Sequence, residues 1–368
     1  MALYISIAIF LIAGLLLEFT AKRKEATITE ENSRLKKENK HTFYQLVFFL
    51  IVIFVLWFLT AFRSARIGND TLNYIRYFDY FGSFGLRFDD EQIEIGYQML
   101  NILVYKIVPN PYFFLGFVAT ICYVGTGIYI YKYSDNLVFS TVLLFPVAYS
   151  FFASGLRQAI AMVICLYVYQ AIKNKRFGLA ILLIAFASLF HTSALIMLAL
   201  LFHRLIPKKP FVVIPLTIIF IALSLGGVMD NVFAVLLQNS YGEYYGKEGV
   251  TDGWLGIAYY CLRAVAFYVL AFLSYEKKVK ENSLVLGMFT MLLITVSFGF
   301  SINMFNRATE YFLLISMIEL PNAIHRGGLK HKKILMFLLG FIMVLYFLVT
   351  LIIRPEWNHL YPYQFNWQ

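Results

Sequence analysis

Long apolar runs recur from one end of this chain to the other, and they constrain its fold more than any other feature. They cover about residues 2–20, 43–62, 112–131, 136–152, 156–172, 177–190, 192–206, 211–227, 254–274, 283–302, 307–324 and 334–353. A mean hydropathy of +0.71 with 14% charged residues excludes an ordinary water-soluble surface, and such runs are typical of membrane-spanning helices. The sequence therefore predicts an all-α polytopic membrane protein with about twelve transmembrane helices.

Hydrophilic sequence is confined to connectors too short to form a soluble catalytic domain. We predict a single integral membrane domain over residues 1–368, with a basic cytoplasmic linker at 21–41 and extracytoplasmic loops at 63–94 and 228–253. The run at 95–108 is shorter and more polar than the others, so we interpret it as a re-entrant or surface helix. Any chemistry must then be performed by the membrane part of the chain.

Basic clusters set the predicted orientation in the membrane. If 95–108 does not cross, "KRK" (22–24), "KNKR" (173–176), "PKK" (207–209), "EKKVK" (276–280) and "KHKK" (330–333) all fall on one side, which the positive-inside rule makes the cytoplasm. That side carries 16 Lys and 5 Arg, whereas the outer side carries 8 Arg and 2 Lys. Because the planar guanidinium suits phosphate and carboxylate, the outer face is predicted to hold an anion.

Polar segments far apart in sequence meet on this predicted outer face. They are "RSARIGNDTLNYIRYF" (63–78) with "EIGYQ" (94–98), "SFFASGLRQAIA" (150–161), "FHTSAL" (190–195), "FNRATEYF" (305–312) and the tail "RPEWNHLYPY" (354–363). A single helix over 150–161 would place Ser154, Arg157, Gln158 and Ala161 in one stripe.

The single charges at span ends also have ordinary interpretations. Arg63, Arg87 and Arg354, each taken alone, are interpreted as side chains that snorkel to the interface, and the aromatic residues of the tail as interfacial anchors. His191 alone is typical of a hydrogen-bonded turn residue.

Three arginines favour a functional interpretation when they are taken together. Arg263 lies midway through an apolar run, where a charge costs at least about 2.5 kcal/mol and normally faces a cavity or a partner. Arg157 and Arg307 begin two of the other runs. Arg307 has an alternative interpretation, because Glu310 at i+3 could neutralise it within one helix.

The polar motifs resemble those of a known family. "RIGNDTLNYIRYF" (66–78), "EIGYQML" (94–100), "SGLRQAIA" (154–161), "FHTSAL" (190–195) and "NRATEYF" (306–312) are similar, in order and spacing, to motifs of the EpsG-like membrane proteins of bacterial exopolysaccharide clusters, a group of Wzy-type polysaccharide polymerases. The resemblance covers residues 45 to about 320, and the tail matches only through "YPY".

This resemblance implies a glycosyltransferase of GT-C-like architecture that acts at the outer face of the bacterial cytoplasmic membrane. Its donor and acceptor would be oligosaccharide repeat units carried by undecaprenyl pyrophosphate. The lipid bilayer, a chain-length regulator and a flippase are the further partners to expect, and no nucleic acid or cofactor is implied.

The chemistry assigns roles to the outer polar residues. The catalytic base is predicted to be Asp70 or His191; we favour Asp70, although histidine has the more suitable ordinary pKa, about 6.5. The predicted pyrophosphate ligands are Arg157, Arg307, Arg66 and Arg263. The predicted sugar-binding residues are Thr71, Tyr74, Glu94, Ser154, Gln158, Ser193 and Tyr311. No metal is expected, since the nearest approach to a metal-binding pair is "DDE" at 89–91, which we interpret as a solvated loop.

Two other classes of protein remain alternatives. A lipid-linked oligosaccharide transporter of flippase type would place ionisable groups near the midplane and show an internal repeat, whereas the polar residues here gather at one predicted face and no repeat is visible. A membrane acyltransferase built around His191 would need cytosolic acyl-CoA, whereas "FHTSAL" is predicted to lie outside.

Overall fold

The structure is a computed structural model that describes residues 1–20, 41–88, 93–228, 254–299 and 303–368, with the backbone alone for 254–259 and 303–304. Within these ranges the regular elements are helices, and no β-strand occurs. Most of the predicted linker 21–41 and of the predicted loop 228–253 lies outside the described residues, as does the acidic "DDE" segment.

The described residues form fourteen α-helices. In order they are α1 (Ala2–Thr20), α2 (Phe43–Ala61), α3 (Thr71–Phe84), α4 (Ile95–Ile107), α5 (Pro111–Tyr133), α6 (Leu137–Leu144), α7 (Ser150–Ser154), α8 (Leu156–Lys173), α9 (Phe177–Ser188), α10 (Pro210–Leu225), α11 (Trp254–Tyr275), α12 (Ser283–Phe298), α13 (Asn303–Arg326) and α14 (Lys332–Ile353). A π-helical turn, Phe145–Tyr149, joins α6 to α7, and 3₁₀ helices cover Thr192–Phe202, Glu276–Lys278 and Pro355–Trp357.

Among the residues that the structure describes, five helical segments are long and apolar enough to cross a membrane: α1, α2, α5, the combined segment Leu137–Ser154, and α14. Shorter apolar helices occupy Phe177–Ser188, Thr192–Phe202, Pro210–Leu225 and Ser283–Phe298. The prediction of an all-helical protein with membrane-spanning segments is confirmed at this level. The count of about twelve spans, the GT-C-like architecture and the re-entrant interpretation of 95–108 stay predictions.

Local sequence explains where several of these helices begin. Asn110 caps α5, since its side-chain oxygen accepts hydrogen bonds from the amides of Tyr112 (2.9 Å) and Phe113 (3.2 Å), and Pro111 follows at the first helical position. Asn136 caps α6 in the same way through the amide of Phe139 at 2.9 Å. The π-helical turn contains Pro146, which has no N–H to donate and so favours an irregular turn at that point.

The chain divides into two compact units. The first unit comprises Met1–Arg87, Gln98–Ala159 and His331–Gln368. In it α1 packs against α14 and α6, α2 packs against α5 and α6, and α3 packs against α5. The prediction of a single integral membrane domain stays a prediction.

The second unit comprises Phe88–Tyr97 and Ile160–Lys330. In it α11, α12 and α13 pack against one another, α10 packs against α12, and the 3₁₀ helix Thr192–Phe202 packs against α9 and α13. An ion pair of 2.6 Å joins Lys173 of α8 to the buried Glu319 of α13. This second unit carries His191 and two of the four arginines predicted to bind pyrophosphate, Arg263 and Arg307.

Candidate active site

The residues predicted from the sequence fall into two groups according to the unit that carries them. The first unit carries Arg66, Asp70, Thr71, Tyr74, Ser154, Arg157 and Gln158. The second unit carries Glu94, His191, Ser193, Arg263, Arg307 and Tyr311. Each group is described within its own unit.

Glu94 and His191 form a carboxylate–imidazole dyad in the second unit. Nδ1 of His191 lies 2.7 Å from Oε1 of Glu94, and the amide of Thr192 donates to the same oxygen at 3.1 Å. The two side chains are only 11% and 15% exposed. Because an ionised carboxylate can only accept, this geometry assigns the proton to Nδ1 and leaves Nε2 as the basic nitrogen of the ring.

A close backbone approach brings the two halves of the dyad together. Gly96, two residues after Glu94, donates its amide to the carbonyl of Leu189 at 2.8 Å, and Leu189 lies two residues before His191. A Cβ at position 96 would stand 2.6 Å from that carbonyl oxygen, closer than two such atoms can approach. Only glycine therefore fits here without separating the two segments.

We expect Gly96→Ala to reduce transfer activity by roughly 10- to 100-fold, because a displacement on the order of 1 Å at a reacting group has effects of that size. The rate of the purified variant, compared with that of Gly178→Ala, is the measurement. A Cβ at position 178 meets nothing within 4 Å, so the control should keep the wild-type rate. Equal rates for both variants would show that the close backbone approach at Gly96 does not determine the geometry of the Glu94–His191 dyad.

Tyr311 links the dyad to the arginine of "NRATEYF". Its hydroxyl lies 3.0 Å from the hydroxyl of Ser193, and its ring, on α13, is 1% exposed. Both Glu94 and Arg307 interact electrostatically with the Tyr311 hydroxyl. The segments "EIGYQ", "FHTSAL" and "NRATEYF" thus meet within one unit, although up to 217 positions separate Glu94 from Tyr311 in the sequence.

Arg263 is buried on α11 beside a carboxyl group. It is 9% exposed, its guanidinium lies 5.0 Å from the centroid of the Tyr260 ring, and its charge interacts with the carboxyl of Glu310 on α13. The sequence suggested Glu310 as the partner of Arg307. The structure adds Arg263 as a charge partner of Glu310, a role that competes with pyrophosphate binding by Arg263.

In the first unit the segment 67–71, which we call the site loop, is held by backbone contacts. Gly68 adopts φ +85°, and a Cβ there would stand 2.5 Å from the carbonyl oxygen of Ala153. The amide of Asn69 donates to Oγ of Ser154 at 3.2 Å. The hydroxyl of Thr71 donates to the carbonyls of Ile67 and Ala153. The predicted sugar ligands Thr71 and Ser154 are therefore engaged with the site loop and its neighbour.

Arg63 differs from its sequence interpretation. It does not snorkel, since it is 1% exposed, and it donates to the carbonyl of Thr60 and to Oγ1 of Thr71. No carboxylate pairs with it among the described residues, and burial lowers the pKa of its guanidinium to about 10. Sequence reasoning missed Arg63 because nothing local distinguishes a buried arginine from a snorkelling one.

The predicted stripe on one helix over 150–161 is wrong. Helix α7 ends at Ser154, Gly155 has non-helical angles (φ −105°, ψ 60°), and α8 starts at Leu156. Arg157 lies half-buried in the first turn of α8, and Gln158 is 3% exposed. Gly155 explains the break between the two helices, because glycine readily adopts backbone angles at which a helix does not continue.

The remaining predicted ligands of the first unit differ in exposure. Arg66 is exposed and Asp70 is half-buried, whereas Tyr74 on α3 is 5% exposed. Within the part of the chain that the structure describes, the carboxylate of Asp70 takes part in no hydrogen bond or ion pair. Its roles as base or sugar ligand stay predictions.

The fold and these two clusters define a class: an all-helical protein with membrane-spanning segments that carries a half-buried carboxylate–imidazole dyad in a neighbourhood that includes arginine. A model of the EpsG family matches residues 46–365. The chain therefore belongs to the EpsG family, and membership indicates a polymerase-like function in exopolysaccharide synthesis. Neither a curated protein nor a solved structure matches the chain.

Proposed function

We propose that this protein is a polysaccharide polymerase, a glycosyltransferase that joins oligosaccharide repeat units carried by undecaprenyl pyrophosphate at the outer face of the bacterial cytoplasmic membrane. The observation that carries the proposal is the Glu94–His191 dyad in a member of the EpsG family. Chain-length regulator and flippase proteins are the partners we expect beside it.

The dyad supplies the group that such a transfer needs at the acceptor. Nε2 of His191 takes the proton from the attacking hydroxyl of the incoming unit as that oxygen bonds to the anomeric carbon of the donor. Glu94 holds the ring through Nδ1 at 2.7 Å and stabilises the imidazolium that forms. This assignment makes His191 the base and gives Asp70 a different task.

The leaving group is the lipid pyrophosphate, which departs with the electron pair of the broken bond to the anomeric carbon. Negative charge grows on it in the transition state, so fixed positive charges accelerate the step. Arg307, whose charge reaches Tyr311 beside the dyad, is the first candidate, and Arg157 and Arg66 are the candidates in the first unit. Arg263 is a weaker candidate, because Glu310 also interacts with its charge.

Reconstitution tests the function directly. The purified protein in liposomes, supplied only with lipid-linked repeat units, should give a ladder of longer glycans and release undecaprenyl pyrophosphate. Units that move across the bilayer without lengthening would instead identify a transporter. Transfer of an acyl group without lengthening would identify an acyltransferase.

A further inference from the structure

The C-terminal segment 354–368, which we call the tail, is bound to the site loop and to the residues before it. The amide of Gly68 donates to the carbonyl of His359 at 3.0 Å. The amides of Ser64 and Asn366 donate to the carbonyls of Gln364 and Phe62, also at 3.0 Å each. The aromatic residues of the tail are predicted from its sequence to be interfacial anchors, yet the backbone of the tail is paired with the segment that contains Asp70.

Side chains strengthen this attachment on both sides of the tail. The hydroxyl of Tyr363 donates to the carbonyl of Leu59 at 2.6 Å, and the hydroxyl of Tyr4 donates to the carbonyl of Leu360 at 2.8 Å. The tail is therefore fixed to the end of α2 and to α1 within the first unit. A segment fixed in this way can orient what it touches.

Asn69 is the residue of the site loop that the tail holds most completely. Its Nδ2 donates to the carbonyl of Trp357 at 2.9 Å, so its Oδ1 is the atom that faces Nδ1 of His359 at 2.6 Å. Because a carbonyl oxygen can only accept, Nδ1 of His359 must carry the proton. Both polar atoms of the Asn69 side chain are thus occupied by the tail.

Asp70 lies between two fixed residues. Asn69 is held by the tail and by Ser154, and Thr71 is held by Ala153 and Arg63. The carboxylate of Asp70 receives no hydrogen bond from the described residues. The backbone at this position is therefore fixed while the carboxylate is left for a ligand.

We propose that the tail positions the site loop, and that His359 is a positioning residue that acts through Asn69 to aim the Asp70 carboxylate at a hydroxyl of the sugar substrate. This inference rests on the proposed polymerase function and deepens it. Asp70 accepts a hydrogen bond from that hydroxyl and so orients the sugar. The tail supplies the rigidity that this orientation needs.

Two substitutions at position 359 test the hydrogen bond from the His359 side chain separately from the backbone conformation of this residue. His359 has φ +44°, a region that glycine and asparagine tolerate. His359→Gly keeps the backbone and removes the donor, whereas His359→Asn keeps both, since the asparagine amide nitrogen occupies the place of Nδ1. We expect kcat with lipid-linked units to fall by roughly 10- to 100-fold in His359→Gly and to stay within about 3-fold of wild type in His359→Asn.

A double-mutant cycle with Asp70→Asn distinguishes positioning from general stabilisation. Once the carboxylate is gone, His359→Gly should change kcat by less than about 2-fold, because the two residues act through one contact. Glu356→Ala is the matched control, since within the described residues the Glu356 side chain pairs with Arg354 alone, at 3.4 Å; it should keep the wild-type rate. Asn69→Ala, which removes both contacts that the Asn69 side chain makes with the tail, should behave like His359→Gly.

Several outcomes would overturn the inference while leaving the polymerase intact. These are an unchanged kcat in His359→Gly or Asn69→Ala, no recovery in His359→Asn, or losses that multiply in the double mutant. Thermal unfolding of each purified variant identifies any variant that no longer folds. If His359→Gly does not fold, Asn69→Ala takes its place in the double-mutant cycle. A wild-type protein that makes no polymer would instead overturn the proposed function itself.

Discussion

Replacing His191 with alanine should lower the rate of glycan transfer by roughly 10²- to 10⁴-fold, the usual contribution of a positioned general base. The half-buried imidazole lies against Glu94, whose Oε1 is 2.7 Å from its Nδ1. Glu94→Gln should cause a smaller loss, because the amide oxygen still accepts from Nδ1 but no longer stabilises a positive ring. The release of undecaprenyl pyrophosphate over time measures both effects.

His203→Ala is the matched control for this experiment. His203 follows the same 3₁₀ helix, Thr192–Phe202, and its Nδ1 lies 3.1 Å from the carbonyl of Leu200, with no carboxylate beside it in the described residues. It should keep the wild-type rate. If His191→Ala keeps most of its activity while Asp70→Asn loses it, Asp70 is the base and the dyad is structural.

The helices could be predicted because their signal is local. Each of the twelve apolar runs coincides with helical structure in the described residues. The apolar pattern of a run can be recognised from that run alone, whatever the distant sequence is. Helix α3 was missed within the predicted loop 63–94. Its sequence, "TLNYIRYFDYFGSF", mixes charged and aromatic residues and so does not form an apolar run. The structure shows that it is a packed helix with a buried face that includes Tyr74 and Phe78.

The pairings within the candidate site could not be predicted, because they depend on tertiary contacts. Glu94 and His191 are 97 residues apart, and nothing near either residue indicates the other. Asn69 and His359 are 290 residues apart. The motifs indicated which segments carry candidate residues, but the roles within those segments depend on which atoms the fold brings to within 3 Å. Glu94, for example, is predicted to bind sugar, and the structure places its carboxylate beside His191.

Arg307→Ala should lower kcat by roughly 10²- to 10³-fold, the loss typical of removing one group that stabilises charge in a transition state. Arg307 lies in the first turns of α13, exposed, one helical turn before Tyr311, with which it interacts electrostatically. Arg307→Lys should recover only part of the rate, because the ammonium keeps the charge but cannot bind two phosphate oxygens through a planar fork. Arg326→Ala, at the opposite end of the same helix, is the control and should keep the wild-type rate.

The kinetic pattern distinguishes the two ways in which Arg307 could hold pyrophosphate. A guanidinium that acts on the growing charge of the leaving group lowers kcat and kcat/KM together when it is removed, whereas one that only binds the resting donor raises KM and leaves kcat unchanged. The first pattern is expected, because Arg307 shares its surroundings with the dyad through Tyr311 and so lies close to the predicted reaction. If only KM changes, Arg307 binds the donor, and the charge-stabilising role belongs to Arg157 or Arg66. If Arg307→Ala makes polymer of wild-type length at the wild-type rate, Arg307 is not part of the site.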